Sequence, residues 1–286
     1  MFAILMRFVR SEKSVVMVAA IFVGLTGSMA HAARRSPAGL HVRVGAYNVS
    51  FLSEATAAEI GQMLKTFNLD IIGLTEVPRS PASHDLAAAA GADHFVVGTI
   101  SSGQSKDKLK TIVSRTPLGP MSEIDLLAKD GFVTGGESGT KAVTNIDGVQ
   151  ISIYCLHISE KPESIEKLLR DKDFCADSAD IVLAIGDFNA RLTDPQMKRL
   201  QERGFRPSWI DLGIDVDKCK TYDMLPGRGP NGETRDEGVI DHITYRGRAV
   251  KIVDGGIVAA RTTKGAPMSD HALIWTEFVV PNPAKD

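Results

Sequence analysis

The sequence predicts an α/β fold in which two packed β-sheets are covered by helices on their outer faces. Many short apolar runs have the length and composition of strands, while only a few segments show helical spacing. Turn-rich loops join most of these runs, and no long Ser, Gly or Pro linker divides residues 33–286. That length is sufficient for one large domain with a substantial core.

The first 32 residues have the features of a secretory signal peptide. Basic residues precede an apolar stretch from about Ser14 to Gly27, and a small-x-small cleavage site ends at Ala32. An apolar run of this length is shorter than the ~20 residues that span a bilayer, although an uncleaved N-terminal anchor is the alternative. We expect cleavage after Ala32 and a periplasmic or secreted location.

The mature chain is mildly acidic. Of 33 Lys and Arg and 35 Asp and Glu residues, the leader contains three and one, which leaves a net charge near −4. Such a chain lacks the broad positive field that drives tight non-specific binding of nucleic acid, but a local basic groove can still hold phosphates. Charge alone therefore neither proves nor excludes a nucleic-acid substrate.

The three cysteines fall into two groups. Cys155 lies inside the apolar run ISIYCL, which predicts a buried thiol. Cys175 and Cys219 lie in polar stretches and could form a disulfide after export, a question that the sequence leaves open.

The first predicted unit is a strand, a helix and a second strand. Residues 42–47 alternate apolar with other side chains, and Ile60 and Leu64 follow at helical spacing behind a start signal at Ser53. The apolar run that ends at Thr75 then returns to the sheet.

A second unit repeats this order. A strand at 151–156 precedes a helix that starts near Pro162, and a strand at 181–186 follows. The pair Asp194-Pro195 then caps a short helix that ends near Gly204. The run LAAAA has high helix propensity, and further strands are predicted at 94–98, 110–115, 141–147, 239–245, 249–253 and 272–279.

Residues 222–238 are too rich in Gly, Pro and charge for regular structure, which predicts a mobile loop. Two interpretations remain open. The segment is either a solvated surface loop, or Arg228 and Arg235 help to hold a substrate phosphate.

Four of the apolar runs end on a polar side chain. These end residues are Asn48, Glu76, His157 and Asp187. If the runs lie side by side in packed sheets, their ends converge on one rim and deliver amide, carboxylate and imidazole groups to a single cleft. Such a cleft is suited to phosphate chemistry.

The segment IGDFNARL, residues 185–192, is the sharpest of these signals. Asp187 could take a proton from water, and Asn189 could donate to an oxygen of a developing phosphorane. The alternative is an Asx-type turn that closes a strand.

Two later segments supply an imidazole and its partner. His271 precedes the apolar run ALIWTEF, and Asp241 lies in VIDHITY. A carboxylate that accepts from one ring nitrogen fixes the tautomer and leaves the other nitrogen to face substrate, so we pair Asp241 with His271. His242, the next residue along the strand, should point to the opposite face and be structural.

Glu76 and Asp270 could together hold a hard divalent cation through oxygen, and Mg²⁺ suits so sparse a ligand set. For Glu76 the alternative is a strand-capping carboxylate with a partner on a helix. The sequence contains no zinc-like Cys and His spacing, no GxxxxGK[ST] loop and no Rossmann glycine pattern, so no organic cofactor is expected.

Six short motifs in order resemble those of the endonuclease/exonuclease/phosphatase superfamily, and the resemblance extends over essentially all of the mature chain. They are YN at 47–48, LTE at 74–76, LH at 156–157, GDFNA at 186–190, IDHI at 240–243 and SDH at 269–271. The resemblance implies a four-layer α/β sandwich of two packed mixed β-sheets flanked by helices. It also implies hydrolysis of a phosphoester by in-line attack of water, with Mg²⁺, Mn²⁺ or Ca²⁺.

The resemblance also implies a role for each residue. Glu76 would be the principal metal ligand with Asn48 and Asp270 nearby, while Asp187 would orient or deprotonate water. The implied phosphate contacts are Asn189 at a non-bridging oxygen, His271 held by Asp241, and His157 at the phosphate or leaving group.

Two departures from the family pattern concern charge near the site. Relatives with a His at the His157 position support it with a carboxylate, whereas the corresponding segment here offers Asp107 or Lys108. Relatives also carry an Arg ahead of the LH motif, where this chain has Lys141, which lacks the bidentate fork.

The leading hypothesis is an exported, divalent-metal-dependent phosphodiesterase, a nuclease that acts on DNA or RNA as a monomer. A phospholipid phosphodiesterase of the sphingomyelinase kind ranks second, because aromatic residues are only 6% of the chain and no docking cluster is evident. A phosphomonoesterase ranks third. The alternative of another class is a secreted binding or effector module with an inactive site.

Overall fold

A computed structural model describes residues 3–7, 18–22, 35–36, 39–100, 108–126, 137–225, 238–248 and 250–281. The helices are α1 Ala57–Thr66, α2 Ala82–Ala89, α3 Pro162–Leu168, α4 Lys172–Ala176, α5 Pro195–Glu202 and α6 Ser208–Leu212. The strands are β1 Ala3–Arg7, β2 Val18–Phe22, β3 Arg35–Ser36, β4 Gly39–Asn48, β5 Ile71–Val77, β6 His94–Val97, β7 Leu109–Ser114, β8 Ser122–Asp125, β9 Ser138–Ile146, β10 Val149–His157, β11 Ile181–Asp187, β12 Arg206–Pro207, β13 Asp241–Gly247, β14 Lys251–Val258 and β15 Leu273–Val280.

The strands form two large mixed sheets. The first has the order β12-β13-β11-β10-β9-β8, and the second has the order β14-β15-β4-β5-β7-β6, with β3 paired to β4. One parallel pair lies inside each sheet, β10 with β11 and β4 with β5, and the remaining neighbours are antiparallel. Outside these sheets, β1 and β2 pair with each other, within the segment predicted as a signal peptide.

The main core lies between the two sheets, where Val44 and Ile71 of one sheet belong to the same buried cluster as Ile153 and Ile185 of the other. These side chains are almost fully shielded from solvent, so the two inner faces pack directly against each other.

Helices cover both outer faces. Ile60 of α1 and Leu86 of α2 pack on the β5 side with Leu74, while the helices α3, α4 and α5 pack on the outer face of β10 and β11. The layers are therefore helix, sheet, sheet, helix, which confirms the predicted four-layer α/β sandwich.

The helix starts agree with the sequence for α3 and α5 and differ for α1. Pro162 is the first residue of α3, as predicted. The start signal of α1 is Thr56 and not Ser53, because Thr56 and Glu59 form a reciprocal capping box, while Ser50–Leu52 form a 3₁₀ turn. Asp194 precedes α5 but makes no side-chain cap, since its carboxylate accepts from the backbone of Arg191.

All strands predicted from apolar runs are present, and the largest difference is at β14, which was predicted at 249–253 and is observed at Lys251–Val258. The short elements β8, β12, α4 and α6 were not predicted, because their few residues carry no clear periodicity. Of the predicted loop 222–238, residues 226–237 lie outside the described residues, and Arg228 and Arg235 lie there.

Cys155 is buried as predicted, and all three cysteines are free thiols. No helix in the described part of the chain is long and apolar enough to cross a membrane.

Candidate active site

Strand register brings the predicted polar end residues to one rim. In the first sheet, His157 pairs with Asp187 and Asp187 pairs with Asp241 across adjacent strands. In the second sheet, Asn48 pairs with Thr75, the residue before Glu76. The two rims meet where the Asn48 amide Nδ2 donates to Oδ2 of Asp187 over 3.0 Å.

Gly186 permits the close strand contact just before Asp187. Its φ is +131°, and a Cβ at this position would lie 2.2 Å from the carbonyl oxygen of Leu156. Only glycine avoids this clash with neighbouring backbone, so the glycine of the GDFNA motif positions the strand end that carries the carboxylate.

Asp187 lies at the centre of the cluster and is 2% exposed. Its Oδ2 lies 3.5 Å from Nε2 of His157 and 3.7 Å from Nε2 of His271, in addition to the Asn48 contact. Burial raises the pKa of Asp187 to about 7, against the opposing charge of His271. A carboxyl group with this pKa can exchange a proton near neutral pH.

The Asx turn considered from the sequence is also present at this strand end. The backbone N–H of Asn189 donates to Oδ1 of Asp187 over 2.9 Å, and Asn189 has a positive φ of 45°. The Asn189 side chain is half-buried, and its Nδ2 donates to the carbonyl of Ile158. The turn therefore uses Oδ1 and leaves Oδ2 to face the cluster.

The expected pairing of Asp241 with His271 is present. The ring Nδ1 of His271 donates to Oδ2 of Asp241 over 2.9 Å, and the backbone of Asp241 donates to Thr221 Oγ1. Burial lowers the pKa of His271, but the carboxylates of Asp241 and Asp187 outweigh it and raise the pKa to about 10. The imidazole is therefore held as a cation between two carboxylates.

Glu76 is on the same rim and pairs with a cation of the protein. Its Oε1 accepts from Nζ of Lys108 over 2.7 Å and lies 3.8 Å from Nε2 of His157. Glu76 has a positive φ of 55° and sits at the irregularity in the pairing of β5 with β7. A bulge turns this side chain away from the regular alternation of the strand. Its partner, Lys108, directly precedes β7 and is not on a helix, contrary to the alternative considered from the sequence.

His157 is buried, and its Nε2 faces the carboxylates of Asp187 and Glu76 at 3.5 and 3.8 Å. Burial, followed by the charges of Lys110 and Lys108, lowers its pKa well below the ordinary value, so the ring is neutral. Its Nδ1 has no hydrogen-bond partner within the described part of the chain. Of the two supports considered from the sequence, Asp107 lies outside the described residues and Lys108 instead pairs with Glu76.

Lys141 does not take the place of the family's arginine near His157. Its Nζ lies 2.7 Å from Oδ2 of Asp177, and it also lies over the ring of Tyr154. The ion pair fixes this lysine along the middle of β9, because Lys141 pairs with Tyr154 three residues before the strand end at His157.

The SDH segment is anchored to the end of β4. Ser269 Oγ donates to the carbonyl of Asn48 over 2.7 Å and lies 3.3 Å from Oδ1 of Asp270. This hydroxyl also accepts from the backbone of His271. Ser269 therefore ties the segment that carries Asp270 to the end of β4.

Two sets of residues could hold a divalent cation. The oxygen donors of Glu76, Asn48 and Asp270 fit a hard cation, and Lys108 already places a positive charge on Glu76. The second set is Asp187, Asp241 and His271, whose ligand atoms lie within 4.8 Å of one another. Both nitrogens of His271 face carboxylates, so a cation bound by this set would have to displace a proton from the ring.

His242 has the structural role predicted for it. It is fully buried, its Nε2 hydrogen-bonds the carbonyl of Ala190, and its ring packs edge-on against Phe188.

Two residues near the site were not predicted from the sequence. They are Tyr222, whose ring lies 4.8 Å from that of His271, and the buried Lys110. Neither residue follows a periodic apolar run that would have marked it as a strand-end group.

A sequence model of the Endonuclease/Exonuclease/phosphatase family matches residues 45–271. No curated protein matches the chain significantly in sequence.

Solved structures with the same fold include an endonuclease/exonuclease/phosphatase from Beutenbergia cavernae DSM 12333. It has a TM-score of 0.66 and 16% identity, over 85% of this chain and 72% of that one. D. rerio TDP2 complexed with a single-strand DNA product has a TM-score of 0.67 and 17% identity, over 83% of this chain and 98% of that one. A functionally unknown conserved protein from Enterococcus faecalis V583 has a TM-score of 0.64 and 14% identity, over 84% and 100%. At these identities the similarity establishes the fold.

Proposed function

The chain belongs to the Endonuclease/Exonuclease/phosphatase family, and on this basis we propose that it is an exported, divalent-metal-dependent phosphodiesterase that hydrolyses DNA or RNA. The observation that carries this proposal is the position of Asp187, whose Oδ2 contacts the Asn48 amide and faces the imidazoles of His157 and His271. A buried carboxylate surrounded by donors is suited to activate water next to a phosphate.

Each side chain has a distinct task in this proposal. Asp187 takes the proton of the attacking water, since its raised pKa matches that task. His271, cationic and fixed by Asp241, stabilises charge on the phosphoryl oxygens. His157, which is neutral, contacts the phosphate or the leaving oxygen, and Asn189 donates to a non-bridging oxygen.

Glu76, with Asn48 and Asp270, would hold the divalent cation. The cation, when bound, supplies positive charge that neutralises the phosphate and helps the leaving oxygen depart. We assign it as Mg²⁺, with Mn²⁺ or Ca²⁺ as substitutes, because the ligands are hard oxygen donors and few. Arg228 and Arg235 remain proposed contacts to substrate phosphates.

We favour nucleic acid over lipid as the substrate. One protein with the same fold, D. rerio TDP2, was solved in complex with a single-strand DNA product. Among the described residues, four large apolar side chains are exposed, and they come from four different segments of the chain: Phe51, Met121, Ile210 and Val253. Export is proposed from the basic and apolar leader.

A panel of phosphoesters tests this proposal. Plasmid DNA, single-stranded DNA, RNA, sphingomyelin and phosphomonoesters are incubated with the mature protein, in Mg²⁺ and in EDTA. We expect nucleic-acid cleavage that is lost in EDTA and in Asp187→Asn. Asp93→Asn is the matched control, because Asp93 is exposed and precedes β6 at the end of the sheet opposite Glu76. Cleavage of sphingomyelin alone would favour the lipid enzyme, and no cleavage at all would favour the binding module.

A further inference from the structure

Three consecutive residues shortly after the end of β4 adopt a backbone conformation that non-glycine residues rarely adopt. Ser50, Phe51 and Leu52 have φ values of 45°, 59° and 60°. Each non-glycine residue in this region carries a conformational cost, and consecutive ones persist only where the surroundings hold them. Strain of this kind is concentrated at functional sites.

Contacts on both sides hold the strained turn. The backbone N–H of Ser50 donates to Oδ1 of Asn48 over 3.0 Å, so the turn is tied to a residue of the proposed site. The backbone of Leu52 donates to the carbonyl of Val49, which is fully buried. The turn is therefore a fixed support for Phe51 and not a free loop.

This support presents an aromatic ring to solvent. Phe51 is 36% exposed, while its neighbours Val49 and Ser50 are buried. Nothing in the core requires an aromatic side chain at this position, because Phe51 does not belong to any of the buried clusters among the described residues. The strained turn thus brings an apolar ring to the surface instead of burying it.

The ring lies directly beside the proposed catalytic rim. Nζ of Lys108 is 4.7 Å from the centroid of the Phe51 ring and 2.7 Å from Oε1 of Glu76. The ring centroid is consequently within about 7.5 Å of the Glu76 carboxylate. That separation is comparable to the span between the phosphate and the base of a single nucleotide.

We propose that Phe51 is the stacking platform for a nucleobase next to the scissile phosphate, on the ring face opposite Lys108, whose Nζ lies over the ring. The proposal rests on the proposed function and names how single-stranded nucleic acid is held. Aromatic rings bind successive bases by their faces with little regard to sequence, and a nearby cation tracks the backbone. A lipid surface would instead need several exposed apolar side chains together.

Fluorescence anisotropy with short DNA and RNA oligonucleotides tests the platform. All proteins carry Asp187→Asn to prevent turnover. Stacking on one ring predicts that Phe51→Ala weakens binding about 10- to 100-fold, that Phe51→Trp restores it, and that Ile210→Ala changes nothing. Unchanged affinity in Phe51→Ala, with the fold verified by circular dichroism, overturns the inference.

A set of oligonucleotides, each with one abasic position, makes the test specific. At one position, removing the base should weaken binding to the protein with Phe51 by the same factor as Phe51→Ala weakens binding of the intact strand. Removing that base should not weaken binding to Phe51→Ala any further. Additive losses at every position overturn the platform. If the active protein cleaves oligonucleotides and Phe51→Ala leaves binding and cleavage unchanged, this inference alone is wrong. If the protein neither binds nor cleaves any nucleic acid, the proposed function is wrong as well.

Discussion

Nζ of Lys108 lies 2.7 Å from Oε1 of Glu76, with the two side chains only 14% and 12% exposed. The ammonium group of Lys108 thus forms an ion pair with the carboxylate that we propose as the main metal ligand. Metal binding at Glu76 has to displace this ammonium or tolerate its charge, and both reduce metal affinity.

The first prediction concerns this competition. Lys108→Met should bind Mg²⁺ about 10-fold more tightly than the parent protein, because a repelling charge is removed from a largely buried site. Isothermal titration calorimetry measures the affinity without substrate. Lys65→Met, an exposed lysine in the last turn of α1, is the control. Weaker Mg²⁺ binding in Lys108→Met would show that the lysine supports the cation and does not compete with it.

The second prediction concerns the partner of His271. Asp241→Asn keeps a hydrogen-bonding group at Nδ1 but removes the negative charge that holds the ring cationic. We expect kcat/KM for the nucleic-acid substrate to fall by about 10² to 10⁴, with KM little changed. Steady-state kinetics alongside Asp93→Asn provides the measurement. Parent-like kcat in Asp241→Asn would remove the pair from the mechanism.

The third prediction concerns pH. If the ionised form of Asp187 takes the proton, kcat/KM rises with pH through the pKa, which burial raises to about 7. A nearby cation favours the ionised carboxylate, so the midpoint of this rise should move to lower pH as the Mg²⁺ concentration increases. Profiles of kcat/KM from acidic to mildly alkaline pH at several Mg²⁺ concentrations measure it. A flat profile, or a midpoint that moves upward with Mg²⁺, contradicts the assignment.

The fourth prediction concerns stability and His242. Burial lowers the pKa of His242 from 6.5 to about 4 in the folded state. Below pH 6.5 the unfolded chain binds a proton that the folded chain excludes, so the free energy of unfolding falls as pH drops towards 4. The size of this contribution is roughly 3 kcal/mol.

Urea unfolding between pH 7 and 4 of the parent and of His242→Gln tests this effect. Glutamine can still donate to the carbonyl of Ala190 but does not titrate in this range. Carboxylates contribute to acid sensitivity in both proteins. The measurement is therefore the difference between the two proteins in how steeply the free energy of unfolding changes with pH. Equal slopes would mean that His242 does not carry the penalty.

The fold and the centre of the site follow from the sequence for one physical reason. Apolar runs identify strands, and the side chain at which a run ends lies at the edge of the sheet. This pattern placed Asn48, Glu76, His157 and Asp187 on one rim, and strand register confirms the placement. The roles assigned to these residues remain predictions.

The contacts of Lys108 and Phe51 could not be predicted in the same way. Lys108 reaches Glu76 because of a bulge in β5, and Phe51 is exposed because of a turn with three positive φ values. Neither feature leaves a periodic signal, since both depend on local backbone conformation and not on hydrophobic pattern. Short elements such as β8 and α6 were missed for the same reason.

The dependence of phosphodiester cleavage on Mg²⁺ in Glu76→Gln tests the central claim most directly. If carboxylate, amide and imidazole groups on the rim hold a cation against a phosphate, this variant should cleave poorly at low Mg²⁺ and regain part of its activity at high Mg²⁺. The parent should reach full activity at a much lower concentration. Identical Mg²⁺ dependence of the two proteins, or activity in either without any divalent cation, would contradict the claim.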